Sequence, residues 1–405
     1  MNALTIRPFV VYFLTNTLSL LGTWVQKVGL GWLTWQITES TFWTSFVSIA
    51  LMAPVGLIGP FVAVLAENWD TRQAMLISKC LMLLVSTVLF LLQLYDLNSL
   101  SSLVSGSLIL GLLSALQGPS RLVFVALMVP KPYLPSAIGL NSVSWNVCRI
   151  VGPSLAGFAI VFLGLDKTFG IVVLLYIPLI VNLLFLKRTM RERCHAPAGR
   201  FFARLKEGGK VAVETPLIFT SLSIVFINSA FVRGVLEIQP AIVGQVLGGD
   251  SATLAMVTAS AGLGALLAAG CLGYGRMSVG VIQRYLWPMM LGGVVGTACL
   301  YITDDLVRIS AVFVITGFTA TVTGIGAQTV IQVNVPEQYR ARVMTWWSTL
   351  SHGSLALGGT VIGFLGDYIT IRSAILLTMI PGLLLAVMVL AKCPLARWWT
   401  TPLNR

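Results

Sequence analysis

Charged side chains are scarce in this sequence of 405 residues, because Asp, Glu, Lys and Arg together make up only 10% of it. A soluble domain carries roughly a quarter charged residues, since its surface faces water. Hydrophobic residues reach 57% here, and the mean hydropathy is +0.90. The composition therefore excludes a soluble globule and indicates a chain whose surface mostly faces lipid.

Residues and motifs typical of catalytic and metal sites are also few. The chain has two histidines, His195 and His352, and its six cysteines form no CxxC pair. It contains no glycine-rich phosphate-binding loop and no nucleophile elbow. These absences argue against a membrane enzyme, a metal site, a cofactor and a self-contained ATP-driven pump. A non-transporting receptor or scaffold stays open as an alternative.

Long apolar runs alternate with short polar breaks along the whole chain. About 20 apolar residues cross the hydrocarbon core of a bilayer, so the pattern predicts twelve transmembrane helices and an all-α integral membrane fold. The predicted spans are 9–36, 43–65, 74–95, 101–128, 135–163, 168–187, 216–246, 252–274, 284–303, 306–332, 342–366 and 372–391.

The basic residues are distributed unevenly between the loops. Most of them fall in the even-numbered loops and the two tails, whereas the outer loops hold only Lys167, Arg308 and Arg372. The positive-inside rule then places both termini in the cytoplasm. The net charge of +12 reflects this topology and does not indicate nucleic-acid binding.

A basic cluster in the longest loop divides the chain into predicted parts. They are a six-helix half (1–190), a cytoplasmic linker (191–214), a second six-helix half (215–392) and a cytoplasmic tail (393–405). The stretch 201–206 has an amphipathic pattern that suits an anionic inner leaflet. A plain solvated linker is the alternative.

A shift of 206 residues superposes the loop after span 4 on the loop after span 10. The superposed pairs are Pro130 and Pro336, Tyr133 and Tyr339, Ser142 and Ser348, Gly152 and Gly358, and Gly157 and Gly363. The matches indicate an internal duplication. Two six-helix repeats around a central cavity are the plan of major facilitator transporters, whose sites lie near the membrane midplane.

Several motifs occur in order along nearly the whole chain. They are GTWVQ at 22–26, GPSR at 118–121, RIVGPSLAG at 149–157 and QVNVPE at 332–337. Together they resemble major facilitator exporters of the drug:proton antiporter-3 type, which include the enterobactin exporter and macrolide efflux proteins. The resemblance implies export rather than uptake and a proton gradient as the energy source.

The resemblance also implies a cytoplasmic gate formed by the loops after spans 2 and 10. The residues assigned to it are Glu67, Asp70, Arg72, Glu337, Arg340 and Arg342. Asn68 and Thr71 replace two cations of the family's pattern, so we expect a gate that is weaker or latched by other residues.

Charged residues inside a span cost about 3 kcal/mol on insertion scales, so they normally face protein or a water-filled cavity. We single out five of them: Lys27, Arg121, Arg149, Arg233 and Glu237. Lys27 and Arg121 either line the cavity or lie near helix ends and snorkel. Arg233 and Glu237 are one turn apart and can pair, either at a substrate site or as a structural salt bridge. Glu237 is the one acid in the predicted spans and therefore the carboxylate candidate for proton coupling.

Polar residues of spans 5, 7 and 11 complete the predicted pathway. They are Asn141, Trp145, Asn146, Asn228, Gln239 and His352. Asn141, Trp145 and Arg149 share one stripe of span 5, and Asn146 superposes on His352 under the 206-residue shift. His352 either carries a proton near neutral pH or is a hydrogen-bonded packing residue.

Four cations against one acid favour an anionic cargo, because positive charge at low dielectric needs a counter-charge. Together with the resemblance to the exporter family, this charge balance leads us to expect a monomeric transporter of a bacterial inner membrane that exports a siderophore or a similar anion by alternating access. The alternative is a broad multidrug or macrolide efflux pump, in which Trp145, Trp346 and Trp347 would contact the drug.

Overall fold

The computed structural model describes residues 3–59, 61–62, 70–186, 201–274 and 278–392. Within these ranges the chain is helical and contains no strand, since backbone polar groups in lipid must be paired inside each helix. The helices are α1 (Arg7–Thr38), α2 (Thr41–Leu57), α3 (Thr71–Leu94), α4 (Leu100–Met128), α5 (Leu134–Leu163), α6 (Leu165–Phe185), α7 (Phe201–Glu214), α8 (Pro216–Ile227), α9 (Gly234–Glu237), α10 (Gln239–Leu247), α11 (Ser251–Tyr274), α12 (Val279–Ala298), α13 (Leu306–Asn334), α14 (Glu337–Tyr368) and α15 (Ile371–Lys392).

The predicted spans correspond to these helices, except that residues 60, 63–65 and 187 of the predicted spans lie outside the described ranges. Among the described residues, ten helical segments are long and apolar enough to cross a membrane, and α2 is a shorter apolar helix. The predicted eleventh span lies in α14, which is not among the ten because polar and charged residues interrupt its apolar surface. The predicted seventh span comprises α8, a π-helical turn (Asn228–Arg233), α9 and α10.

Several polar breaks between the spans serve as helix caps. The Asp70 side chain accepts hydrogen bonds from the first backbone N–H groups of α3, and that of Asp305 accepts one from Arg308 in α13. Asp250 accepts from the backbone N–H and the hydroxyl of Thr253, and these bonds hold its pKa below the ordinary value. The breaks therefore end one helix and start the next.

The chain forms two compact units. The first unit comprises Met1–Thr38 and Ala50–Ala198, and the second comprises Glu39–Ile49 and Gly199–Arg405. Residues 39–49 join the second unit through Asp367 at the end of α14, whose carboxylate accepts from the Thr41 N–H at 2.7 Å. The predicted domain boundaries at 190/191 and 392/393 fall at residues outside the described ranges or at their edge, and the domain division stays a prediction.

Each unit has a buried apolar cluster, and the two clusters are built from equivalent positions. The 206-residue shift places Tyr12, Val125, Val129 and Ala137 of the first cluster on Ile218, Ile331, Val335 and Val343 of the second. Tyr133 and Tyr339, which pack against these clusters, each donate a backbone hydrogen bond to the proline three residues earlier. The internal duplication is therefore confirmed by packing as well as by sequence.

Two close helix crossings repeat in the same way. A Cβ atom on Gly152 of α5 would lie only 2.5 Å from Cβ of Trp24 in α1. A Cβ atom on Gly358 of α14 would overlap the carbonyl oxygen of Ala230 in the π-helical turn. Trp24 and Ala230 are themselves related by the shift of 206. Glycine is required at both crossings because the backbones approach too closely for a side chain.

We expect Gly358→Ala to destabilise the second unit by about 1–3 kcal/mol, the usual cost of forcing extra volume into a packed contact. The matched control is Gly270→Ala in α11, because no atom lies within 4 Å of a Cβ atom placed there. Thermal unfolding of the purified variants in detergent checks this expectation. Equal unfolding temperatures for the two variants would show that the crossing relaxes freely.

Candidate transport site

The first unit holds a row of two cations and two indole rings. Lys27 Nζ lies 5.2 Å from the ring centroid of Trp24, and the guanidinium carbon of Arg121 lies 4.7 Å from that of Trp145. The two indoles meet edge to face, with centroids 5.9 Å apart and planes at 67°. Cations are attracted to the faces of aromatic rings. The two indole rings therefore stabilise the two cations without neutralising their charge.

Two donors in this row have no acceptor. The Nε atom of Arg121 and the indole Nε1 of Trp24 are buried and make no hydrogen bond within the described part of the chain. Among the described residues no carboxylate forms an ion pair with Arg121. Buried donors are almost always satisfied in proteins, so this pair of donors marks a place where a ligand can supply oxygen acceptors.

The predicted polar stripe of α5 is only partly directed at this row. Asn141 is buried, and Trp145 belongs to the row. Asn146 uses its amide to donate to the carbonyl of Ser142 in its own helix, at 2.9 Å. Arg149 is half-buried and engaged with other groups.

In the second unit, Arg233 lies at the end of the π-helical turn. Its guanidinium donates to the Ser351 hydroxyl of α14 at 3.1 Å and to the Ser229 hydroxyl at 3.4 Å. The Glu237 carboxylate acts on it electrostatically. A π-helical turn widens the repeat and changes which side chains share a face, and such turns are frequent at functional sites. The direct pairing of Arg233 with Glu237 stays a prediction.

Glu237 lies where the seventh span is interrupted. Glu237 is 7% exposed, and its Oε2 atom accepts no hydrogen bond from the residues that the structure describes, although the side chain is engaged with other groups. The helix ends there because Pro240 cannot continue it, so α10 starts at Gln239 with the proline in its first turn. The seventh span is therefore interrupted directly beside Glu237.

The neighbouring amides of this unit are buried and hydrogen-bonded. Gln239 accepts from the Thr258 hydroxyl at 3.4 Å. Asn228 donates to the carbonyl of Ala320 at 3.3 Å, and its own side-chain oxygen has no donor among the described residues.

His352 in α14 repeats the geometry of Asn146 in α5. Its Nδ1 lies 3.0 Å from the carbonyl oxygen of Ser348, the residue equivalent to Ser142. A carbonyl oxygen only accepts, so Nδ1 is the donor in this contact. His352 is therefore oriented by its own helix.

Two of the residues assigned to the cytoplasmic gate contact other helices of their own unit. Arg72 donates to the last carbonyls of α6 at Leu183 and Leu184, and Arg342 pairs with Glu207 of α7. Arg340 is exposed. Glu67 lies outside the described residues, and so does the side chain of Glu337. The gate stays a prediction.

Lys79 of α3 is a buried cation that was left out of the candidate set, although it falls inside the predicted span 74–95. It is 1% exposed, with Nζ 4.4 Å from the Tyr176 ring centroid and 3.5 Å from the Met82 sulfur. The Tyr176 hydroxyl donates to Gln26, which donates to Ser86 at 2.8 Å. Its position within the apolar run was the signal that could have identified it.

The helices and their buried cations are typical of a transporter for small molecules. The family model described as "Transmembrane secretion effector" matches residues 1–404, and the chain belongs to this family of major facilitator transporters. Its members are transporters rather than enzymes.

Two curated relatives are each 25% identical to the chain. The "Staphyloferrin A transporter" of Staphylococcus aureus (strain NCTC 8325 / PS 47) matches over 177 residues, which are 42% of this chain and 44% of that protein. The "Uncharacterized MFS-type transporter YfiS" of Bacillus subtilis (strain 168) matches over 374 residues, 89% of this chain and 87% of that protein. The chain thus matches less than half the length of the first relative and most of the second.

Solved structures share the fold. An inward-facing bacterial homolog of the human lysosomal transporter Spinster superposes with a TM-score of 0.66 at 16% identity, covering 97% of both chains. The nucleoside transporter NupG gives 0.66 at 14% identity, covering 95% of this chain and 99% of that one. At these identities the likeness establishes the major facilitator fold alone.

We expect Lys79→Met to leave the first unit at least as stable as the wild type, and more stable by on the order of 1 kcal/mol. A charge inside a span costs about 3 kcal/mol, and a desolvated cation–π contact returns about 2 kcal/mol. Thermal unfolding at neutral pH measures the change, with the exposed Lys167→Met as the control. A clear loss of stability would mean that the ammonium is required for the packing.

Proposed function

We propose that this transporter exports a small anionic metabolite such as a siderophore. The observation that carries the proposal is the row Lys27–Trp24–Trp145–Arg121 with its two buried donors. A carboxylate or catecholate oxygen would accept from both donors and neutralise part of the charge. A lipophilic cation would meet repulsion there.

The charges of the second unit support the same choice of cargo. Arg233 contacts two serine hydroxyls, and the nearby Glu237 carboxylate offsets part of its charge. Under the 206-residue shift Arg233 is equivalent to Lys27, so both repeats place a cation at the same point of their first helix. The relative named as a Staphyloferrin A transporter, a siderophore transporter, is consistent with this chemistry.

Export and proton coupling complete the proposal. Export follows the resemblance of the 149–157 motif and agrees with the secretion that the family description names. We assign the coupling proton to Glu237, because its carboxylate is buried beside Arg233 at a helix interruption. Alternating access, a monomer, a bacterial inner membrane and cytoplasmic termini belong to the same proposal.

We expect Arg121→Gln to lower the rate of anion export at least tenfold, because losing a charge-assisted hydrogen bond costs about 1.5–3 kcal/mol. Arg121→Lys should recover only part of the rate, since an ammonium cannot reproduce the planar fork of donors. Flux of a citrate-type or catecholate siderophore in proteoliposomes is the measurement. The exposed Arg308→Gln is the control, and a fully active Arg121→Gln would contradict the assignment.

The cargo class is tested in cells under iron limitation. A deletion strain should retain an iron-chelating anion that the wild type secretes, and the intact gene should restore secretion. Unchanged secretion of every such metabolite would refute the proposal. Broad hypersensitivity to macrolides and other drugs would instead favour the multidrug alternative.

Glu237→Gln should abolish the dependence of export on an imposed proton gradient while leaving cargo binding measurable. The amide keeps the shape of the carboxylate but cannot exchange a proton. Flux with and without a pH gradient, together with cargo binding, separates the two effects. A variant that remains fully driven by the gradient would remove Glu237 from the coupling step.

A further inference from the structure

The second unit contains a cavity of about 1040 Å³ beside the linker helix α7. Its walls come from α7, α8, α14 and α15 and are predominantly apolar. Phe219, Phe226, Trp346, Leu350, Leu385 and Val389 line it. None of the residues assigned to the transport pathway belongs to this lining, although Trp346 is one of the aromatic residues named for the drug-efflux alternative.

The linker helix is held firmly against the bundle. A Cβ atom on Gly208 would lie 2.7 Å from Cβ of Arg342, and one on Gly209 would lie 3.2 Å from the indole nitrogen of Trp346. Arg342 also pairs with Glu207, and Ala212 is buried in the apolar cluster of the unit. Because these contacts fix α7 against α14, the cavity is a built feature of the unit.

The rim of the cavity is cationic. Lys206 and Lys210 lie one turn apart on α7, and both line the cavity. The charge of Glu207 is compensated by Arg342. Lys210 approaches Glu214 at 3.7 Å, but both side chains are more than half exposed, and such a contact contributes little. The rim therefore carries net positive charge above an apolar interior.

We propose that this cavity binds an anionic phospholipid of the surrounding bilayer. The acyl chains lie along the aromatic and aliphatic walls, and the phosphate accepts hydrogen bonds from the two lysine ammonium groups. An apolar cavity with a basic rim, next to an amphipathic helix, is complementary to a molecule with an anionic head and an apolar tail. A zwitterionic lipid fits the apolar walls equally well, but its headgroup is attracted less strongly by the lysines of the rim.

The test compares lipid binding to the purified full chain in nanodiscs. Nanodiscs of phosphatidylcholine alone and with phosphatidylglycerol are used, and the lipids retained by the protein are identified by native mass spectrometry. We expect preferential retention of phosphatidylglycerol by the wild type. The Lys206→Gln/Lys210→Gln variant should bind it about twenty-five-fold more weakly, since each lysine near an anionic surface contributes about a fivefold factor.

Two further variants separate charge from shape. Lys167→Gln/Arg372→Gln removes the same net charge away from the cavity and should keep the preference. Ser223→Phe fills the cavity wall and should lower the retention of both lipids. Raising the salt concentration should reduce the phosphatidylglycerol preference of the wild type, because exposed lysines are screened.

Three outcomes would overturn the proposal. Equal retention of the two lipids by the wild type would exclude a site selective for phosphatidylglycerol. A preference that persists in the Lys206→Gln/Lys210→Gln variant would show that the selective site is not at this cavity. Detection of a non-lipid amphiphile in the cavity would reassign it to cargo entry. None of these measurements depends on export activity.

Discussion

The close backbone crossings at Gly152 and Gly358 are the constraint on which the rest of the structure depends. In a bilayer the lipid tails are as apolar as the helix surfaces, so helices associate through tight packing rather than through the hydrophobic effect. At Gly152 the α5 backbone lies against Trp24, and this contact brings Trp145 to the edge of the Trp24 ring. At Gly358 the α14 backbone lies against the π-helical turn, which places Ser351 within reach of Arg233.

The buried cations follow from that packing. Lys79 and Arg121 lie over aromatic rings, and no carboxylate of the described residues forms an ion pair with either. Ring faces stabilise a cation without neutralising it, so the first unit remains positively charged. That residual charge is the reason for proposing an anionic cargo. In the second unit Glu237 is near enough to act on Arg233 electrostatically.

The two repeats share equivalent buried positions but fill some of them with different residues. Tyr12 of the first apolar cluster corresponds to Ile218 of the second, and Ala137 corresponds to Val343. The second unit also packs the amphipathic helix α7 against α14, and the cavity with its two lysines exists because of that addition. The amphipathic pattern at 201–206 predicts contact with the membrane surface. The proposed site instead binds a single lipid molecule in a cavity whose walls also come from α8, α14 and α15.

The sequence by itself determined the fold class, the approximate positions of the spans, the duplication and the break before Pro240. Each of these depends on local properties, namely apolar run length, repeated residue spacing and the missing N–H of proline. A charged residue within an apolar run can likewise be recognised from the sequence alone, which is how Lys27, Arg121, Arg233 and Glu237 were selected. Only the tertiary structure decided that Arg121 lies over Trp145, that Arg233 contacts Ser351 and that Arg342 pairs with Glu207. These contacts join residues from different helices, and their partners depend on helix rotation and on close approach, which hydropathy does not encode.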